Sequence, residues 1–391
     1  MKILMVSPTP THPTTAGNRA RVLSLVKALQ GLGHEVHFAL ATTARPDLAA
    51  MRTMFGERLH VLKCREPDRV GGLLPRLRRR LLRAIGNEAA YTWALDDFYD
   101  PALSAQIAKL CAAGSFDAAF VEYVYMSKAF EAMPPGILKI LDTHDRFALR
   151  HRAFLDAGLL PQWFSTSIAE ENAGFRRADW ILAIQECEAG IFASQLGADG
   201  KRVVAVGHLL DRQERVLPAP TASAVFLASG NAINIDAARF FIRSVLPLIL
   251  RERPDFRFIL AGDVGNPFVD TKLAVVCLGR VQSIGDAFKA AAIAVNPVRV
   301  GTGLNIKMLE ALACGVACIS SVTGSRGLEP FRGVAFESVR DSDPAAMARA
   351  VLALLADPVR ARALGDAGFD LAETWNRQQL AGLTRALASR S

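Results

Sequence analysis

Cysteine is scarce in this 391-residue chain, and the six present are scattered: Cys64, Cys111, Cys187, Cys277, Cys314 and Cys318 form no C-x-x-C pair. Such spacing argues against a disulfide framework or a zinc site and suits a reducing cytoplasm, with the thiols serving as core residues. Long apolar runs are lacking too, since none approaches the roughly 18 residues of a membrane-spanning helix. The opening MKILMVSPTP holds an apolar stretch of only about five residues and no small-residue cleavage site, so it reads as a buried strand rather than a signal peptide. A net charge of +8 is modest for this length, and aromatics are 7% of the residues. Basic and aromatic residues are not interleaved as in a nucleic-acid binder, so nucleic acid is not an expected partner. The first βα loop carries no G-x-G-x-x-G, which weakens a nicotinamide or flavin reading. The only D-x-D spelling, Asp341–Asp343, reads as part of a late loop rather than an element beside a strand that would hold a metal.

What the sequence does contain is alternation of short apolar strands with amphipathic helices, the pattern of parallel sheets built from βαβ units. In the first half, strands are expected near Ile3–Ser7, Glu35–Leu40, His60–Lys63, Ala118–Glu122, Ile137–Asp142 and Ile181–Ile184, with a helix over Asn18–Gly31. A second series has strands near Val225–Ser229, Arg257–Ala261, Val275–Leu278, Ile293–Asn296 and Ala317–Ser320, with a helix over Asp236–Arg251. Helices close the chain at Pro344–Ala356, Pro358–Thr374 and a last one to about Ser389. The expected organisation is two doubly wound domains, 1–206 and 224–375, joined by a linker at 207–223, with 376–391 returning to the first. Two such sheets present their ligand sites at the C-terminal ends of their strands, facing a cleft.

The stretch Asn296–Gly315, NPVRVGTGLNIKMLEALACG, concentrates the chemistry. Gly301 and Gly303 let backbone approach a ligand, and the helix that follows offers free N–H groups and its positive dipole end to an anion. Lys307 in the first turns opposes that dipole unless an anion balances it, and Glu310 shares its helix face. A carboxylate so placed can accept both hydroxyls of a ribose. By pattern alone the stretch also fits an ordinary βα loop with a surface Lys307–Glu310 pair.

The segment resembles the donor-binding motif of retaining GT-B glycosyltransferases of glycosyltransferase family four. The match runs through Pro297, Gly301, Gly303, Lys307, Glu310, Ala311, Ala313, Gly315, Ile319, Ser320, Gly324, Gly327 and Leu328. The opening KILMVSPTPTHPTTAGNRARVLSLVKALQGLGHEVHF, the strand end LDTHDRFALR and the segments Glu170–Ile184 and Leu227–Gly262 are similar to the family as well. The resemblance implies an α/β GT-B fold, two Rossmann-like domains facing across a cleft, with acceptor bound by the first and sugar nucleotide by the second. It implies that Lys307, Gly303 and Leu304 bind diphosphate, with Arg299, Gly301, Thr302 and Asn305 around them. Glu310 would bind ribose, backbone near Arg280 and Val281 would read the base, and His144 would contact the transferred sugar. Two departures stand out. Thr302 occupies the position where many members carry a second glutamate, and SGNAINIDAARFF has no basic residue before Arg239 where many carry an Arg and a Lys.

Other strand-end residues are candidates by position. Gly17, Asn18 and Arg19 form the first βα loop, which the resemblance implies closes on the donor phosphate and acceptor, with Gly17 and Asn18 on the donor, against the alternative of a plain helix N-cap region. Glu122 and Tyr123, with Arg146 and Arg150, are expected toward the acceptor, against ordinary loop and surface roles. His208 reads as structural. In PRLRRRLLRAI (75–85), Arg76, Arg79, Arg80 and Arg83 share one helix face and Leu77, Leu81 and Ile85 another. That helix either lies on an anionic membrane or packs on the first domain. The expected function is transfer of a hexose from a UDP- or GDP-sugar to a glycan, a lipid-linked glycan or a small-molecule hydroxyl. It needs no cofactor or metal, because the helix N-terminus and Lys307 stabilise the leaving diphosphate. The expected location is cytoplasmic, with peripheral contact to the inner membrane face if 75–85 binds lipid. A sugar-nucleotide epimerase and a catalytically silent binding scaffold are the alternatives.

Overall fold

The structure is a computed structural model that describes residues 1–14, 16–42, 44–65, 73–161, 163–197, 202–211, 213–271 and 274–388, without the side chains of 73–76. It divides into two units, residues 1–209 with 378–391, and residues 210–377.

The first unit is a seven-stranded parallel sheet built from β1 (Lys2–Ser7), β2 (Glu35–Leu40), β3 (Leu59–Val61), β4 (Ala118–Glu122), β5 (Leu138–Asp142), β6 (Trp180–Ala183) and β7 (Val203–Ala205). Its strand order is β3-β2-β1-β4-β5-β6-β7. A strand covered on both faces must be apolar throughout, and β1 shows why: Leu4 and Val6 enter one core, Ile3 and Met5 the other. The order reverses between β1 and β4, so a crevice is expected outside the ends of those two strands.

The second unit has six parallel strands, β8 (Ser223–Leu227), β9 (Arg257–Ala261), β10 (Val275–Gly279), β11 (Ile293–Asn296), β12 (Cys318–Ser321) and β13 (Glu337–Val339), in the order β10-β9-β8-β11-β12-β13. Its switch point lies between β8 and β11. Phe241 stacks on Phe258 at 4.1 Å in the core.

Four expectations need correction. The short edge strands β7 and β13 were not anticipated, because three residues carry no readable alternation. The helix expected over Asp236–Arg251 starts earlier, at Ala232, where the Asn231 side chain caps it by accepting from Asn234 N. It contains a π turn at Phe241–Val245. Pro247 follows, and its ring cannot sit under the carbonyl of Arg243, so the ladder widens there. The expected break near 375 is absent: Pro358–Ala388 is one helix, and Asn376 spends its side chain on both backbone groups of Leu210 at 2.9 and 2.8 Å. The stretch expected as a linker is anchored along its second half, where Val216 N donates to Cys314 O and Ala219 N to Ala291 O.

Candidate functional site

At the first unit's switch point the chain builds a buried polar cluster. Arg21, 2% exposed, comes from the helix Gly17–Gly31. Its Nε donates to Asp142 Oδ2 at 2.9 Å, and its Nη2 donates to Asp142 Oδ1 and to Val206 O. His144 Nε2 faces Glu122 Oε2 in a short contact and Asp142 Oδ2 at 3.4 Å. Burial pushes the Glu122 carboxyl well above the usual range, and the neighbouring Asp142 carboxylate adds to the shift. Burial would raise Asp142 too, but the Arg21 guanidinium, bonded to both of its oxygens, outweighs it and holds it below its ordinary value. Burial takes the His144 imidazole down to about 3, against the pull of Asp142. Glu122 and His144 are thus pushed toward their neutral forms, and Asp142 toward the carboxylate that Arg21 holds.

Both His144 (φ 59) and Tyr123 (φ 71) have left-handed backbone, rare for such residues. The two rings lie flat on one another at 3.9 Å, 12° apart. The Tyr123 hydroxyl meets the side chains of Thr9 and Asn18. The structure thus brings Asn18, Tyr123, Glu122 and His144 together. The acceptor role expected of Glu122 and Tyr123 is corrected, since they are 0% and 1% exposed and lie behind His144. Arg150 is held by Asp145 at 3.1 Å and lies over Phe154, so its side chain faces its own helix rather than an acceptor. Arg146 keeps a buried Nε without a partner. His208 hydrogen-bonds Ser24 inside the unit, in keeping with a structural role.

The donor atoms of Glu122, Asp142 and His144 lie within 4.8 Å of one another, a spacing a metal ion could bridge. Arg21 already supplies the positive charge there. The D-x-D spelling does other work: Asp341 accepts from Thr323 N and Oγ1, and Asp343 caps the helix Pro344–Ala356.

At the second unit's switch point, β11 ends in the buried Asn296, whose Nδ2 donates to Gly324 O at 2.7 Å. The glycine loop follows, with Gly301 at φ 136 and Gly303 at φ 74. It leads into the helix Ile306–Ala313. Met308, Leu309 and Leu312 bury the inner side of that helix. Lys307 and Glu310 stand on its other side, and neither charged group makes a hydrogen bond or ion pair within 4 Å among the described residues. Burial lowers the Lys307 ammonium to about 8, with Glu310 opposing and Arg326 adding to the fall. Burial raises the Glu310 carboxyl to about 7, with Lys307 opposing. Thr302 Oγ1 and Asn305 Oδ1 are buried without partners, which a ligand at the loop would relieve.

Two expected residues are engaged elsewhere. Arg299 pairs with Asp236 at 2.7 Å and lies over the Phe240 ring, which corrects its expected place at a diphosphate. Arg280 pairs with Asp263 through two 2.8 Å bonds, leaving only its backbone and that of Val281 as donors to a base. Arg326, which the sequence reading passed over, lies at the centre: Nη2 donates to Thr302 O at 2.9 Å, Nε to Gly303 O at 3.2 Å, and Nη1 to Thr323 O.

Comparison with known proteins bears on both units. A curated relative, the GDP-mannose-dependent monoacylated alpha-(1-6)-phosphatidylinositol monomannoside mannosyltransferase of Corynebacterium glutamicum, is 30% identical over 139 residues, 32% of this chain and 36% of the relative. The chain thus spans about a third of that relative's length. Among solved structures, TarM of S. aureus superposes with a TM-score of 0.71 at 9% identity, over 99% of this chain and 98% of that one. Sucrose-phosphate synthase from Thermosynechococcus elongatus gives 0.68 at 16% over the whole of both chains. Anabaena HepE, solved with UDP and glucose, gives 0.63 at 13% over 98% and 99%. These likenesses establish the fold, that of GT-B glycosyltransferases. Residues 223–357, within the second unit, match the family model described as Glycosyl transferases group 1.

Proposed function

We propose that the chain transfers a hexose from a UDP- or GDP-sugar to a hydroxyl of a glycan, a lipid-linked glycan or a small molecule, with retention and without a metal. The observation that carries this reading is the glycine loop with Lys307 and Glu310 left unpaired on one side of its helix. A diphosphate beside Lys307 and the helix N-terminus balances the ammonium, and a ribose at Glu310 donates two hydroxyls to the carboxylate. As the bond to the anomeric carbon breaks, negative charge develops on the diphosphate oxygen, where that cation and those dipoles already lie. His144, neutral, offers a hydrogen-bonding nitrogen to the transferred sugar. The donor class is supported by the relatives, of which the Corynebacterium mannosyltransferase is GDP-mannose-dependent and HepE was solved with UDP and glucose.

Thermal shift with UDP-, GDP-, dTDP- and ADP-sugars tests the donor site. Lys307→Ala and Glu310→Ala are each expected to weaken binding about 10- to 100-fold, the size of one charge-assisted hydrogen bond. Equal stabilisation of the wild type and both variants would remove the assignment. Release of nucleoside diphosphate only with acceptor present separates a transferase from an epimerase, and its absence under all conditions favours a silent scaffold.

Peripheral membrane contact through 75–85 is part of the reading, with its faces exchanged. Arg79 lies over Trp93 and Arg83 over Tyr91, while Leu77, Leu81 and Ile85 are 47%, 68% and 73% exposed. Arg79 and Arg83 thus turn toward aromatic rings of the protein and the apolar stripe looks outward, contrary to the arrangement expected of a solvated helix. Arg78 and Arg80, also exposed, lie toward the two edges of that stripe. The side chains of Pro75 and Arg76 lie outside the described residues. An apolar stripe with basic borders suits the headgroup region of an anionic bilayer. No helix of the described residues is long and apolar enough to cross a membrane.

A further inference from the structure

We propose that Arg326 is the second cation of the sugar-nucleotide site: it braces the glycine loop through backbone carbonyls and, with Lys307, sets the positive field that holds a nucleoside diphosphate. The inference rests on the donor-site reading above and deepens it.

The first loop of this unit, Ser229–Asn234, offers no basic side chain. The nearby arginines are spoken for, Arg299 by Asp236 and Arg280 by Asp263. Arg326 reaches the loop because the turn before it is fixed at the strand ends. At Gly324 a Cβ would lie 2.5 Å from Ser320 Oγ and 2.8 Å from Asn296 O, and Gly324 O accepts from Asn296. The turn can sit that close to β11 and β12 only as glycine. From there the guanidinium reaches Thr302 O, Gly303 O and Thr323 O, tying the loop after β11 to the loop after β12. Gly301 completes the fit, since a Cβ there would stand 2.9 Å from Arg326 Nη2. A planar fork on three carbonyls fixes the loop's shape and brings a guanidinium charge to the loop that would meet an anion. Of the charged groups that act on the Lys307 ammonium, Glu310 favours its charged form and Arg326 opposes it. The two cations repel each other until a shared anion arrives, so the site is poised to bind one.

The test uses UDP and GDP titrated by calorimetry between pH 6.5 and 9.5 against wild type, Arg326→Gln and Arg326→Lys, with the Lys307 ammonium followed by NMR in ligand-free protein. Arg326→Gln should weaken both nucleotides at least tenfold at pH 7. It should also move the alkaline loss of affinity to higher pH, because Lys307 is relieved of a neighbouring charge. Arg326→Lys, which keeps the charge without the fork, should hold that limb near the wild-type position. Unchanged affinity in Arg326→Gln overturns the proposal, as does weaker binding with an unmoved limb, the signature of a brace alone. If the wild type binds neither nucleotide, the donor-site reading falls first. In that case an unshifted Lys307 titration in Arg326→Gln still overturns the electrostatic half.

Discussion

His144 is the residue whose behaviour separates most sharply from its ordinary chemistry. Its folded pKa of about 3 lies below the ordinary 6.5, so unfolding takes up a proton at this group below pH 6.5. Its contribution to stability is complete above pH 6.5 and is lost as pH falls toward 3, by up to about 1.4 kcal/mol per pH unit. Glu122 has the opposite sign: its raised pKa gives stability that is lost as pH rises above 4.5, so in the wild type the two slopes oppose each other between 4.5 and 6.5. The difference between variants isolates the histidine. Relative to wild type, His144→Gln should gain stability steadily from pH 6.5 to 5 in urea unfolding, whatever constant offset the lost stacking adds. A pH-independent offset would mean that His144 is not buried neutral. Breaking the ion pair behind it should be costlier: Arg21→Ala leaves Asp142 buried without its guanidinium and should destabilise by roughly 3–5 kcal/mol. Sequence gave access to these residues unevenly. Glu122 ends a strand and His144 closely follows one, so their neighbourhood was legible, but which one would lie behind the other depends on two left-handed residues in non-glycine positions. Arg326 was illegible because its partners lie 23 and 24 residues upstream and the link is made through carbonyls, which have no letter in a sequence.

Among the elements, strands buried on both faces were the easiest to foresee, because a run such as KILMVS has no polar side to hide. The π turn before Pro247 and the edge strands β7 and β13 were not foreseeable in the same way, since a single proline or three residues do not set a period. The long helix Pro358–Ala388 meets the turn after the Lys307 helix at very short range. A Cβ on Gly365 would come 2.3 Å from Gly315 O and 3.5 Å from Ala317 N. Gly315 itself is at φ 71. Two glycines therefore set how closely that helix can support the Lys307–Glu310 helix. Gly365→Ala should force them apart and destabilise the unit by about 1–3 kcal/mol, an overpacking cost larger than alanine's gain in helix propensity. Chemical unfolding of Gly365→Ala measures it, and a neutral or stabilising result would refute the close approach.

For the molecule as a whole, the outward apolar stripe at Leu77, Leu81 and Ile85 makes a statement about where the protein works. Co-sedimentation with vesicles containing phosphatidylserine should capture the wild type and fail for Leu81→Glu, while neutral phosphatidylcholine vesicles capture neither. Binding of Leu81→Glu as tightly as wild type would show that the stripe does not enter lipid. The helix was legible from its spacing, but its orientation was not, because arginines stacking on Trp93 and Tyr91 compete with leucines for the protein side and sequence periodicity ranks only hydrophobicity.

The closing helix carries a consequence of another kind. It starts within the second unit, yet Leu383, Ala386 and Leu387 are fully or nearly buried in the core against β1 and β2 of the first. Gln379 accepts from Gly207 N in that same unit. During synthesis the ribosome delivers residues 1–209 early, but one face of their sheet lacks its last covering side chains until residue 387 has emerged. The unit made second holds all of its own residues by 377 and can finish first. The first unit therefore cannot complete this part of its core before the second has been made.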